Sequence, residues 1–96
     1  ADFVLEATFL GVPDDIWGER PMAIVTLRPG SSADEDDVYR YLETEGVDKG
    51  RITRWMLPDY IAITDDIPKT SVGKYSKITI KERLDEFIAI AKRYRD

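Results

Sequence analysis

Apolar and polar residues alternate at the start of the chain. Leu5, Ala7, Phe9 and Gly11 interleave with Glu6, Thr8 and Leu10, a period of two that predicts a half-buried strand. Gly11-Val12-Pro13-Asp14-Asp15 has turn chemistry. The run Pro21 to Leu27 is almost continuously apolar and predicts a central strand covered on both faces, closed by Pro29-Gly30-Ser31-Ser32. A helix follows, with Ser32 and Glu35 at capping-box spacing and Val38, Tyr41 and Leu42 as its buried stripe. Asp34, Glu35, Asp36 and Asp37 fill its first turn, where they offset the positive end of the helix dipole, and Gly46 is its expected stop. This acidic cluster has a structural purpose, so no metal site is expected there.

Lys49 to Arg54 reads as a basic connector. Pro58 introduces a strand over Tyr60-Ile61-Ala62-Ile63-Thr64, and Asp65 to Gly73 forms a loop. A second helix starts at Ser76 or Thr79, with Thr79 and Glu82 again at capping-box spacing. Its stripe is Leu84, Phe87, Ile88 and Ala91, and it is expected to run to about Arg93. The order strand, strand, helix, strand, helix predicts an α+β fold: a small mixed or antiparallel sheet of about three main strands with helices packed against it.

Composition narrows the chemistry more than the fold. The 96 residues make one small domain, expected to lack a deep pocket of its own. There is no cysteine and no histidine, which excludes disulfides, thiol nucleophiles, Ser-His-Asp catalysis and His- or Cys-ligated metals. Any reaction must rest on Lys, Arg, carboxylates, hydroxyls or the backbone. The net charge of −5 argues against general nucleic-acid binding, but it is uneven: residues 1–67 carry −9 and residues 68–96 carry +4. The last third is therefore able to face an anion. No run of about 18 apolar residues exists to span a membrane, and the first residues lack the basic region of a signal peptide. The missing initiator Met suggests a piece of a longer protein, and the cysteine-free composition is compatible with a cytoplasmic location.

Ile67-Pro68-Lys69-Thr70-Ser71-Val72-Gly73-Lys74 is the sharpest local feature. It is not a Walker-type phosphate loop. The first glycine position holds Pro68, and the magnesium-holding hydroxyl position after the lysine holds Tyr75. The residues still suit a rigid exposed loop. Pro68 restricts the backbone, Gly73 permits positive φ, and the hydroxyls of Thr70 and Ser71 are placed to satisfy loop backbone groups. Spacing alone leaves two readings of Lys74, a presented cation or an ordinary surface lysine after a glycine turn.

Pro68 to Lys74 resembles the closing motif of the adenylate-forming enzymes: acyl- and aryl-CoA synthetases, adenylation domains of peptide synthetases, and luciferases. Two further blocks agree in order and spacing. Gly11-Val12-Pro13-Asp14-Asp15-Ile16-Trp17-Gly18-Glu19-Arg20-Pro21 is similar to the Gly-Val-Pro…Trp-Gly-Glu stretch near the start of their small C-terminal domain. Trp55-Met56-Leu57-Pro58-Asp59, followed by a strand and Asp65-Asp66-Ile67-Pro68, resembles the medium- and long-chain fatty-acyl-CoA ligase branch most. The resemblance covers nearly the whole chain. It implies that residues 1–96 are a single C-terminal lid domain, without the large N-terminal domain that binds ATP and the acyl group and without the hinge before the lid.

The same resemblance implies two steps. A carboxylate attacks the α-phosphorus of ATP and magnesium pyrophosphate leaves; coenzyme A thiol then displaces AMP. By match to the motif, Lys74 is the catalytic cation of the first step, with Pro68, Thr70 and Gly73 supporting its loop. The lid is expected to rotate between the steps, and the fragment alone to be inactive and to bind no cofactor by itself. Lys49, Arg51 and Arg54 are coenzyme A-contacting candidates on position alone, against the plainer reading of solvated charge. Trp17 is read as an anchor of its turn rather than a ring stacked on adenine, and Lys69 as solvent-facing. Expected partners are the enzyme's own N-terminal domain, ATP, a fatty acid and coenzyme A. Two alternatives stay open: a lid that passes the acyl group to a carrier protein, and a non-catalytic interaction module.

Overall fold

Strand β1 (Val4–Asp14) and strand β2 (Gly18–Leu27) form a long antiparallel hairpin, and the chain then crosses to strand β3 (Tyr60–Ile63), which lies parallel to β2. Helix α1 (Glu35–Leu42) lies within that crossover. Helices α2 (Lys77–Glu82) and α3 (Leu84–Ile90) follow β3, and a two-residue strand β4 (Lys92–Arg93) returns antiparallel to it. The computed structural model describes residues 3–65 and 67–94. The sheet order is β1-β2-β3-β4, so the fold is α+β with a mixed sheet, as the sequence predicts, plus one short extra strand.

The core lies on both faces of β2, whose residues Met22 to Thr26 are all buried. On one face Leu10, Val12, Met22, Ile24 and Ala62 pack with Ile67, Ile80 and Phe87 from the loop and helices α2 and α3. On the other, Ala23, Val25 and Ile61 meet Val38 of α1. Each fully buried side chain of this size contributes about 1.5–3 kcal/mol. Leu84, Ile88 and Ala91 border the first cluster, so the predicted stripe of the last helix holds.

Several boundaries differ from the sequence reading. In β1 the buried residues are Thr8, Leu10 and Val12, while Leu5, Ala7 and Phe9 are exposed. The two-residue period is present in opposite phase: Ile67 and helices α2 and α3 cover the even face, while Ala7 and Phe9 line a hollow beside Val38, Tyr41 and Leu42 of α1. Gly11 to Pro13 belong to β1 rather than to a turn, since a proline is tolerated on an edge strand. The turn is Asp14 to Gly18, where one Asp14 carboxylate oxygen accepts from the amides of Ile16 (3.0 Å) and Trp17 (2.8 Å) and Gly18 adopts positive φ.

Helix α1 is capped by Asp34, not Ser32. Asp34 and Asp37 exchange side-chain-to-amide bonds at 3.0 and 2.9 Å, which makes the capping box Asp–Asp. The chain continues from Leu42 into a π-helical turn (Glu43–Val47), so Gly46 does not stop the helix. Its small size matters instead, because a Cβ at Gly46 would lie 2.8 Å from the Ile52 side chain. The second helix starts at Ser76, whose hydroxyl accepts from the Thr79 amide (3.3 Å). It breaks at Arg83 and ends at Ile90, short of Arg93, because the following residues pair with the open edge of β3.

That last segment returns to α1. Tyr94 stacks on Tyr39 at 4.3 Å, and Asp36 accepts from Lys92 Nζ (2.6 Å) and the Tyr94 hydroxyl (2.7 Å). The hydrogen bond from Lys92, then that from Tyr94, holds the Asp36 carboxyl below its ordinary value, and burial with the Asp36 contact pushes the Tyr94 phenol up. A lowered carboxyl stabilises the fold above its unfolded value and loses that contribution as pH falls through the native one. Asp36→Asn is therefore expected to lose less stability than the unaltered chain between about pH 5 and pH 3, as read from urea midpoints.

Candidate functional site

The loop from Pro68 to Ser76 is a closed hairpin. Its neck is the antiparallel bridge Lys69–Tyr75, with Thr70 N–H donating to the Lys74 carbonyl (2.7 Å) and Ser76 N–H to that of Pro68 (2.9 Å). A β-turn from Thr70 to Gly73 forms its tip, closed by a 3.0 Å bond from Gly73 N–H to the Thr70 carbonyl. Gly73 has φ +84°, the left-handed region that a side chain adopts at a cost of about 1–2 kcal/mol. Loop carbonyls thus satisfy the amides of Thr70, Gly73 and Ser76. The hydroxyls of Thr70 and Ser71, expected to do this, make no hydrogen bond among the described residues.

Lys74 stands on the return arm of this hairpin. It is exposed, and its ammonium makes no hydrogen bond or ion pair among the described residues. Its neighbours differ. Lys69, read from sequence as solvent-facing, spans both carboxylate oxygens of Glu6 at 2.7 and 2.8 Å. Lys77, in the first turn of α2, donates to the Thr8 hydroxyl (2.8 Å) and the Phe9 carbonyl. Sequence reasoning missed Glu6, Thr8 and Lys77, because the partners lie 63 and 69 positions apart and no local pattern signals them.

The connector cations are placed elsewhere. Lys49 pairs with Glu45 (2.6 Å) and Arg54 with Glu43 (2.9 Å), and each hydrogen bond holds its cation above the ordinary value. Arg51 is exposed, and its side chain makes no such contact among the described residues. All three follow α1 in the chain, and no hydrogen bond or ion pair among the described residues links them to the Lys74 loop. Asp66, part of the block before Pro68, lies outside the described residues.

The other two sequence blocks meet in space. Arg20 is buried and its guanidinium grips the Asp59 carboxylate through two 3.0 Å bonds, while the same side chain donates to the carbonyls of Trp55 (2.9 Å) and Leu57 (3.3 Å). It also lies 3.9 Å from the centre of the Trp55 ring, which meets the Trp17 ring in a T-shaped arrangement at 4.9 Å. Trp17 thus ties the hairpin tip to Trp55, although its ring stays 56 % exposed. The Arg–Asp pattern was in plain view in the sequence, but 39 positions of separation hid the pairing.

An open groove of about 520 Å³ beside α1 is lined by Phe3, Ser31, Asp37, Arg40 and Tyr41, and it holds none of the candidate residues. No group of three or more potential metal ligands occurs among the described residues, and none of their helices is long and apolar enough to cross a membrane. The arrangement is a small sheet domain that carries a lysine on a braced surface hairpin.

A family model for the AMP-binding enzyme C-terminal domain matches residues 1–74, and the chain belongs to that family. The long-chain-fatty-acid–CoA ligase of Thermus thermophilus is 32 % identical over 84 residues, which cover 88 % of this chain and 14 % of that protein. The vibriobactin-specific 2,3-dihydroxybenzoate-AMP ligase of Vibrio cholerae is 33 % identical over 82 residues, 85 % of this chain and 14 % of that protein. A solved fatty acyl CoA synthetase of Mycobacterium tuberculosis superposes with a TM-score of 0.74 at 28 % identity, over 90 % of this chain and 16 % of that one. The chain spans about a seventh of the length of the curated relatives it matches.

Proposed function

We propose that this domain is the mobile C-terminal lid of an ATP-dependent fatty-acyl-CoA ligase and that Lys74 is its adenylation cation. The observation that carries the reading is the exposed Lys74, whose ammonium makes no hydrogen bond or ion pair among the described residues, on a hairpin closed by backbone bonds at its neck and tip. Adenylation brings an anionic carboxylate to an anionic phosphate, and a preorganised cation at that point lowers the barrier by opposing the charge that gathers there. A lysine held on a separate small domain can be delivered for this step and withdrawn for the next, in which the coenzyme A thiol takes the acyl group. ATP, magnesium, the fatty acid and the acyl pocket belong to the large N-terminal domain, which is the lid's proposed partner. Lys49 and Arg54 are weaker coenzyme A candidates now that carboxylates engage them. Arg51 is the one of the three whose side chain makes no hydrogen bond or ion pair among the described residues.

A second reading passes the acyl group to a carrier-protein arm. Likeness to a ligase named for its acid and AMP, without coenzyme A, favours it. The full-length enzyme given ATP, magnesium, coenzyme A and fatty acids separates the two. The first reading expects AMP and acyl-CoA in equal amounts. AMP without coenzyme A consumption would move the assignment to the second, and no AMP with any carboxylic acid would refute both.

A further inference from the structure

We propose that Lys69, Glu6 and Lys77 are positioning residues that clamp the Lys74 hairpin to strand β1 and so set where the Lys74 ammonium is presented. This rests on the adenylation reading of Lys74. The lysines at positions −5 and +3 from Lys74 both reach the same short stretch of β1: Lys69 takes Glu6, and Lys77 takes Thr8 and the Phe9 carbonyl. Glu6 and Thr8 are two residues apart on a strand, so they share a face and sit roughly 7 Å from one another. The hairpin neck lies between the two anchors, closed by the Lys69–Tyr75 bridge and the Ser76-to-Pro68 bond. One anchor would leave the neck free to pivot; two remove that rotation. Thr8 is buried and β1 pairs continuously with β2 from Glu6 to Asp14, so both anchors sit on paired strand, just beyond the register shift between Val4 and Glu6.

A part-exposed ion pair such as Lys69–Glu6 adds little to global stability, which argues that this arm of the clamp serves orientation more than folding. Orientation is where the effect should be read, since a misplacement of about 1 Å at a reacting centre costs on the order of 10²-fold in rate.

The test compares Lys69→Met, Lys77→Met and the double variant in the full-length enzyme. Pyrophosphate exchange is expected to fall roughly tenfold in each single variant and towards 10²-fold in the double, through kcat rather than the KM for ATP. Thioester formation from supplied acyl-adenylate, and the unfolding midpoint, should barely move. Exchanging the charges, Glu6→Lys with Lys69→Glu, should recover most of the loss of Lys69→Met. Unchanged exchange in the double variant overturns the proposal, as does an equal fall in both half-reactions with a lowered midpoint, which would mark simple support of the fold. The amides of Thr70 and Ser76, measured by hydrogen exchange on the 96-residue chain, report the clamp without reference to activity. They should exchange at least about tenfold faster in the double variant, because the neck they close is no longer braced. Unaltered protection overturns the clamp even if Lys74 is catalytic. An active Lys74→Ala enzyme would instead defeat the reading of Lys74, and the clamp would then be judged by amide exchange alone.

Discussion

Asp59→Ala is expected to destabilise the domain by about 3–5 kcal/mol, the usual cost of leaving one member of a buried ion pair without the other. The Arg20 and Asp59 side chains are only 3 % and 8 % exposed, so the guanidinium would lose its carboxylate at a site with little access to water. The Trp55 and Leu57 carbonyls would remain as acceptors for one guanidinium nitrogen, but the Nε–H that Asp59 accepts would be stranded. Against a total stability of roughly 5–15 kcal/mol for a domain of this size, the variant would be close to unfolding. The urea midpoint at constant m reads the loss, as would a melting temperature lower by roughly 4–8 °C per kcal/mol.

The paired change Arg20→Met with Asp59→Leu gives the contrast. Removing both charges removes the desolvation penalty too, so the double variant should be far more stable than the sum of the single losses. A midpoint in Asp59→Ala within the range of ordinary surface changes would show that Arg20 finds water or another partner. The pair holds the start of β2 to the segment before β3, and through Trp55 it also seats Trp17 at the hairpin tip.

What could be read in advance follows the range of the forces involved. The apolar run from Met22 to Leu27 announced a strand covered on both sides, because burial of consecutive residues leaves no other solution. The stripe of Leu84, Phe87 and Ile88 announced an inward helix face, and the block from Pro68 to Lys74 announced a turn with a glycine at positive φ. These are local properties. The phase of β1 was not local: whether Phe9 or Leu10 faces the core depends on which helices arrive later to cover that side. Ser32 and Asp34 are both able to cap α1, and only the reciprocal bonds with Asp37 decide between them. The last helix stops early because β3 offers an open edge, a fact about the sheet and not about residues 91–94. Around the candidate site, the hairpin was legible but its fastening was not. Glu6, Lys69 and Lys77 carry no motif; they are ordinary charged residues until the fold brings them together.

Lys74→Ala in the full-length enzyme is expected to lose on the order of 10²–10³ in the rate of adenylation, the effect of removing one preorganised charge from a centre where negative charge accumulates. Lys74→Arg should recover only part of this, since a planar fork with five donors does not fit a position that suits a compact ammonium. Unfolding midpoints should barely change, because the side chain is exposed and makes no hydrogen bond or ion pair among the described residues. The second half-reaction does not use this cation on the present account. Pyrophosphate exchange and thioester formation from supplied acyl-adenylate, measured on one preparation of Lys74→Ala, therefore put the central claim at most direct risk. Exchange should collapse while thioester formation persists near its unaltered rate; exchange that continues undiminished would contradict the assignment of Lys74.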